Sequence, residues 1–245
     1  MNIKIALILC SIILVMSSSV SAEEAKTEKR WSDEAELSFV STSGNTQTTT
    51  FAGKNLLKYK FTERLEGKWD IAGLLSEDND IKTAERYSTN VQLTYLSTQR
   101  LYTGLSAGWL KDEFAGFKNK YYVGPLIGYK FFTGPKHFLN GELGLNYTKE
   151  EYIDNTEEEL VEGRAFGYYE YAFSKKTKFS QSLEYLHDFG GNDNHKVTSL
   201  SALTVAITEI FSIKTGYQIR YVNRPVPETL ENTDSILTVA LVVNF

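Results

Sequence analysis

The chain is 245 residues long, 13% aromatic and 23% charged, with a formal net charge of −5, four Pro and a single Cys. That aromatic content excludes a disordered chain, and the acidic excess argues against a nucleic-acid binder, which would need a basic patch for phosphates. One Cys rules out a disulfide framework or a Cys-based zinc site, while the length leaves room for one large domain or two small ones.

Residues 1–22 read as a secretory leader: Lys4 supplies the positive start, residues 5–16 form an apolar run, and Val20-Ser21-Ala22 supplies the small-residue site after which cleavage is predicted. An uncleaved anchor is the competing reading, but the apolar core is short for a bilayer span. Cys10 lies inside that core behind the bulky Leu9, a setting that does not suit lipoprotein processing. Cleavage would remove Cys10, Met1 and Met16, so the exported chain would be held by hydrogen bonds and packing without a covalent staple. Residues 23–30 follow as a short periplasmic segment. Beyond residue 22 no apolar run reaches the roughly 18 residues that a transmembrane helix needs.

From Trp31 onward the hydrophobic period is two, which predicts strands with two chemically different faces. In chain order the strands fall at 32–41, 49–61, 65–76, 85–96, 101–112, 121–132, 138–149, 161–173, 178–189, 196–207, 211–221 and 233–245. Their connections alternate between short turns, as at 62–64 and 174–177, and longer polar loops at 77–83, 113–120, 150–160, 190–195 and 222–232. Pro125 interrupts the sixth strand, where a bulge or a later strand start is expected because proline cannot donate to the ladder.

The polar stripe carries Glu34, Glu36, Lys54, Lys58, Glu66, Lys68, Asp70, Arg86, Glu142, Arg164, Glu170, Glu184, Lys214 and Arg220, while the opposite stripe is aliphatic and aromatic. Twelve strands enclose a lumen too wide for wall side chains to fill. The charged face is therefore expected inside and the apolar face outside, as in an up-and-down antiparallel transmembrane β-barrel spanning 31–245 with both termini in the periplasm. On the apolar stripe Tyr59, Phe61, Tyr129, Phe131, Tyr171, Phe173, Phe179 and Phe211 lie beside the short turns. Phe39, Phe51, Tyr87, Trp109, Tyr121, Tyr147, Tyr185 and Tyr221 lie nearer the loops, so two aromatic girdles are expected at the two interfaces.

The end of the chain, with Leu237, Val239, Leu241, Val243 and the terminal Phe245 on one face, resembles the C-terminal signal of outer-membrane proteins. The start, Trp31 through Glu36-Leu37-Ser38 to Ser43-Gly44-Asn45-Thr46, resembles an outer-membrane β-barrel family of unknown function, some of whose members are labelled salt-induced. These resemblances imply a Gram-negative outer membrane, contact with its lipid and lipopolysaccharide, and recognition by the barrel-assembly machinery. The family brings no catalytic residues and no cofactor, and a monomer is expected.

Three further features bear on chemistry. His187, on the outward stripe beside Asp188 and Asp193, is the one histidine placed for a lipid hydrolase. Such a site needs a hydroxyl nucleophile within reach, but Ser180 and Ser182 point inward and only Ser199 is plausible. An interfacial histidine is the plainer reading. The acidic runs 77–80 and 154–159 offer oxygen ligands for a divalent cation, without the Gly-containing spacing of a calcium loop. They read first as solvated surface loops. The lumen carries acids and bases in similar number, so strong ion selectivity is not expected from their sum. Its charges can build either a cross-linked plug or a narrow wet pore. The leading expectation is a non-enzymatic pore for ions or small solutes, with the hydrolase and a structural or adhesive surface barrel as alternatives.

Overall fold

Alternation of branched and aromatic residues with polar ones gives every segment a wall-forming pattern, and a ring of such strands leaves no unpaired edge. The computed structural model describes residues 29–41, 48–79, 81–190 and 194–245. The expected leader at 1–22, most of the 23–30 segment, the motif at 43–46, Asp80 and Asp193 lie outside the described residues.

Twelve strands close into one barrel: β1 (Trp31–Ser41), β2 (Thr48–Lys60), β3 (Leu65–Asp78), β4 (Ile81–Leu96), β5 (Leu101–Asp112), β6 (Phe117–Thr133), β7 (His137–Tyr152), β8 (Glu157–Ala172), β9 (Thr177–Asp188), β10 (His195–Ala206), β11 (Phe211–Val222) and β12 (Thr233–Asn244). Each pairs antiparallel with its chain neighbours, and β1 meets β12 along Glu34–Leu37 against Leu241–Asn244. The expected twelve-stranded up-and-down barrel is the observed fold.

Four of the five short turns share one device. The hydroxyl of Thr62, Thr98, Ser174 or Thr208 accepts from the backbone N–H groups two and three residues later, at 2.9–3.3 Å. A side chain thus satisfies donors that the tight turn leaves unpaired. The fifth turn uses Gly134-Pro135.

The exterior is a band of exposed Leu, Val, Ile and aromatic side chains, with Leu143 64% and Leu237 69% exposed. At the short-turn end Tyr59–Phe61, Tyr129–Phe131 and Tyr171–Phe173 form edge-on ring pairs, 4.8–5.1 Å between centroids. Partners two residues apart on one strand share the outward face, which is how the inner girdle is built.

Two expectations are corrected. The segments 77–83, 113–120 and 150–160 are not plain loops: β3 runs to Asp78 and β4 starts at Ile81, a 3-10 turn, Glu113–Ala115, leads straight into β6, and β7 and β8 continue to Tyr152 and from Glu157. The strands project past the apolar band, where outward positions need not be hydrophobic. There Lys149 binds Glu151 and Glu157 on the outer wall, at 3.4 and 3.0 Å, and the two-residue hydrophobic signal disappears. Pro125 causes neither a bulge nor a late start. It stays paired with Leu105 of β5, while β6 and β7 keep one register from Val123–Tyr147 to Leu126–Gly144 across a gap in pairing. Gly124 allows that crossing, because a Cβ there would stand 1.8 Å from the Leu145 carbonyl oxygen.

Candidate functional site in the barrel lumen

Ion pairs between strands that are not neighbours can form only through the interior, so they identify the inward face. Lys214 of β11 reaches over β12 to Glu36 of β1 at 2.6 Å, with Glu34 at 3.8 Å. Gln92 of β4 donates to Glu142 of β7 at 3.0 Å. Strand alternation then carries the same face to Lys54, Lys58, Glu66, Lys68, Asp70, Arg86, Arg164, Glu170, Glu184 and Arg220.

Three charge groups stand at different heights. Midway, Arg164 clamps Glu184 at 2.5 Å and Glu142 at 2.8 Å, and Glu142 also accepts from the Tyr102 hydroxyl at 2.9 Å. On the facing side Lys54 pairs with Asp70 at 3.2 Å. Nearer the short turns Lys178 pairs with Glu170 at 3.4 Å. Lys58 and Lys68 are direct cross-strand neighbours, an arrangement of like charges that costs energy unless water or an anion screens it.

The loop end is different. Lys120, Glu150, Glu162 and Lys196 form a closed square, with Lys120 at 2.7 Å from Glu150 and 3.3 Å from Glu162. Lys196 is 3.0 Å from Glu162 and bound to Glu150 as well. Thr148 and Tyr152 donate to Glu162 and Glu150 at 2.8 and 2.5 Å, and both carboxylates are only 1% exposed. Phe117 covers the group, its ring centre 5.9 and 5.6 Å from the two ammonium nitrogens. The square ties β6, β7, β8 and β10 together through the lumen.

A second link joins diametrically opposite strands. Arg220 of β11 donates to Asp112 of β5 at 2.5 Å, and Arg86 of β4 stands 3.5 Å from the same carboxylate. Asp112 also accepts from the Ala115 N–H at 3.2 Å and so holds the 3-10 turn in place. Next to it Gly116, at φ 88°, packs so close to Val226 of the β11–β12 loop that a Cβ would stand 2.0 Å from the Val226 carbonyl oxygen. Asn194 donates to the Arg224 carbonyl at 3.1 Å. Loops from opposite walls therefore meet at this end.

Of these charged groups, Asp112, Lys120, Glu150, Glu162, Lys178 and Lys196 are absent from the set read from the sequence. Their signal was the parity of Lys120-x-Tyr122 and of Thr148-x-Glu150-x-Tyr152, continued beyond the last apolar outward residue.

His187 is paired directly with His195, and its ring lies beside Tyr185 and Phe189 on the outer wall. Among the described residues its one hydroxyl neighbour is Tyr185, at 3.5 Å, and no serine is brought to it. The acidic run 154–159 is largely engaged: Asp154 accepts from Thr156, which holds its carboxyl below the ordinary range. Glu159 accepts from Tyr147 at 2.7 Å, and Glu157 binds Lys149. Among the described residues no group of three or more His, Cys, Asp or Glu is placed to hold a metal. Leu237, Val239, Leu241, Val243 and Phe245 follow one another along the outward side of β12 and its end, where the Phe245 N–H donates to the Asp33 carbonyl at 2.9 Å.

Known proteins agree with this architecture. The chain is 26% identical over 223 residues to the uncharacterized protein YdiY of Escherichia coli (strain K12), spanning 91% of this chain and 86% of that one. It is similar in fold to an outer membrane channel from Pseudomonas putida F1, with a TM-score of 0.55, 12% identity, and coverage of 93% of this chain and all of that chain. It is also similar to the translocator domain of the autotransporter NalP from Neisseria meningitidis, with a TM-score of 0.50, 11% identity, and coverage of 99% and 94%. Residues 35–245 match the family described as "Protein of unknown function, DUF481", and the chain belongs to that family of barrels.

Proposed function

We propose that the protein is a non-enzymatic outer-membrane pore for ions and small solutes, held closed in this conformation at its outer entrance. The observation that carries the reading is the gradient of water exposure along the lumen. Lys178 and Glu170 near the short turns are 45 and 29% exposed, the mid-lumen charges range from Lys54 at 35% to Glu142 at 6%, and Glu150 and Glu162 at the loop end are 1% exposed. A plug built for rigidity alone would gain nothing by leaving charges wet toward one mouth; a channel with one closed gate would have this profile.

Short turns face the periplasm in barrels of this kind and long loops face outward, so the closed end is the external one. The leader at 1–22 and the C-terminal pattern ending at Phe245 support export and recognition by the assembly machinery. The girdles support seating among phospholipid and lipopolysaccharide as a monomer. The resemblance to salt-induced barrels supports use under envelope or salt stress. The shared fold with a structure described as an outer membrane channel supports transport.

Single-channel recording of refolded protein in planar bilayers tests the pore. Wild type is expected to give brief, infrequent steps, and Lys196→Met, which breaks the square, is expected to give frequent ones. Silence from both proteins would contradict the reading.

A further inference from the structure

The two mouths of the barrel carry opposite charge. The five short turns hold Arg64, Arg100, Lys136, Lys175 and Lys176 against Glu63 and Glu209. The described residues of the loops after β5, β7 and β11 hold Glu113, Asp154, Glu228 and Glu231 against Arg224. The field along the lumen therefore runs from a positive short-turn mouth to a negative loop mouth.

At the positive mouth lies a cavity of about 490 Å³, bounded by the β8–β9 hairpin and the start of β11. Lys175, Lys176 and Lys178 line it together with the hydroxyl residues Thr177, Thr204 and Ser212. Glu170 is the carboxylate in contact with this lysine group: it pairs with Lys178 at 3.4 Å, the two side chains 29 and 45% exposed, and accepts from the Tyr168 hydroxyl at 2.9 Å. Lys136 also borders the cavity, but its ammonium group sits 5.6 Å from the centre of the Tyr171 ring on the outer wall. Three cations with one carboxylate among them, beside hydroxyl residues in a concave mouth, suit an oxyanion. The same volume accommodates a small tricarboxylate or a diphosphate.

We propose that this mouth is an anion-binding vestibule, which collects small soluble carboxylates or phosphates and makes the pore prefer anions entering from the short-turn side. The proposal rests on the pore reading for its transport consequence but not for binding itself. It also sharpens the balance read from the lumen as a whole, since selectivity is set at a mouth where the signs are not balanced.

Two measurements on the refolded full barrel separate the parts. Calorimetric titration with citrate, and with inorganic pyrophosphate, should show binding to wild type, weakened about tenfold or more in K175Q/K176Q/K178Q through loss of close cationic partners. Lys149→Gln, which removes one charge from the outer wall at the loop end, should leave the affinity unchanged. In planar bilayers under a KCl gradient, the wild-type reversal potential should lie on the chloride side and move toward the potassium side in the triple variant. Citrate should reduce current when added at the short-turn side and not at the loop side.

Equal citrate affinity in wild type and triple variant would overturn the vestibule. So would a triple-variant effect seen in bilayers containing phosphatidylglycerol and absent in neutral lipid, which would assign the lysines to headgroups. A silent barrel that still binds citrate through these lysines would end the pore reading and uphold the anion site.

Discussion

At the loop end, Glu150 and Glu162 each touch two lysines and one hydroxyl and are almost fully withdrawn from water. At the short-turn end, Lys178 touches one carboxylate at 3.4 Å and is 45% exposed. The same residue types line one tube, yet their consequences differ because of solvent. A buried square gains little net energy from its attraction but is costly to break, since any member removed strands a charge without water. An exposed lysine contributes almost nothing to stability but keeps its field available to a mobile ion. One end is therefore suited to holding a closed state and the other to sorting what arrives.

Removing a charge at each end is the way to break that contrast. Lys196→Met should have the largest effect, leaving two buried carboxylates to share Lys120. A loss of about 3–5 kcal/mol is expected for such a broken buried pair, seen as a lower urea midpoint in unfolding followed by tryptophan fluorescence. Conductance steps should become more frequent in the same variant. Asp112→Asn comes next. It weakens the hold on Arg220 and Arg86 and removes charge from the turn contact at Ala115, for an expected cost of about 1.5–3 kcal/mol. Hydrogen exchange should rise in the loops after β5 and β11 while β7 stays protected.

Lys214→Gln should have a smaller effect. It cuts the strap from β11 to β1 over the short β1–β12 seam, and because that pair is partly solvated a cost of about 1 kcal/mol is expected. The temperature at which the barrel loses its compact gel mobility should fall slightly. Lys178→Gln should change stability least, by no more than about 0.5 kcal/mol, while still weakening citrate binding. If Lys178→Gln destabilised the barrel as much as Lys196→Met, the distinction between the two ends would fail.

The fold was readable because the bilayer imposes a strict rule on each strand. Ile213, Thr215, Tyr217 and Ile219 against Lys214, Gly216, Gln218 and Arg220 state both faces of β11 without ambiguity. The inward positions of Lys214, Arg164 and Glu36 follow from the same alternation. The closing square was not readable for two reasons. Lys120 and Glu150 lie where the strands have passed the apolar band, so neither face needs to be hydrophobic and the pattern goes flat. Their partner Lys196 lies three strands from Glu150 around the barrel, and which inward residues meet across a lumen depends on strand tilt and stagger. Pro125 misled for a local reason: the Gly124 beside it permits a close approach to the Leu145 carbonyl that lets β6 continue in register. The turn hydroxyls Thr62, Thr98, Ser174 and Thr208 were a recurring signal in plain view, since each stands three residues before the next strand resumes.

Sided access to the lumen tests the central claim most directly. The natural cysteine, Cys10, falls within the proposed leader, so in a chain lacking residues 1–22 Ser182→Cys would place a single thiol on the inward face of β9. In proteoliposomes of known orientation, a bulky membrane-impermeant maleimide should label that thiol from the short-turn side and fail to label it from the loop side. Adding Lys196→Met should let it react from both. Equal labelling from the two sides in the unmodified barrel, or none from either, would contradict a lumen that is open inward and closed outward.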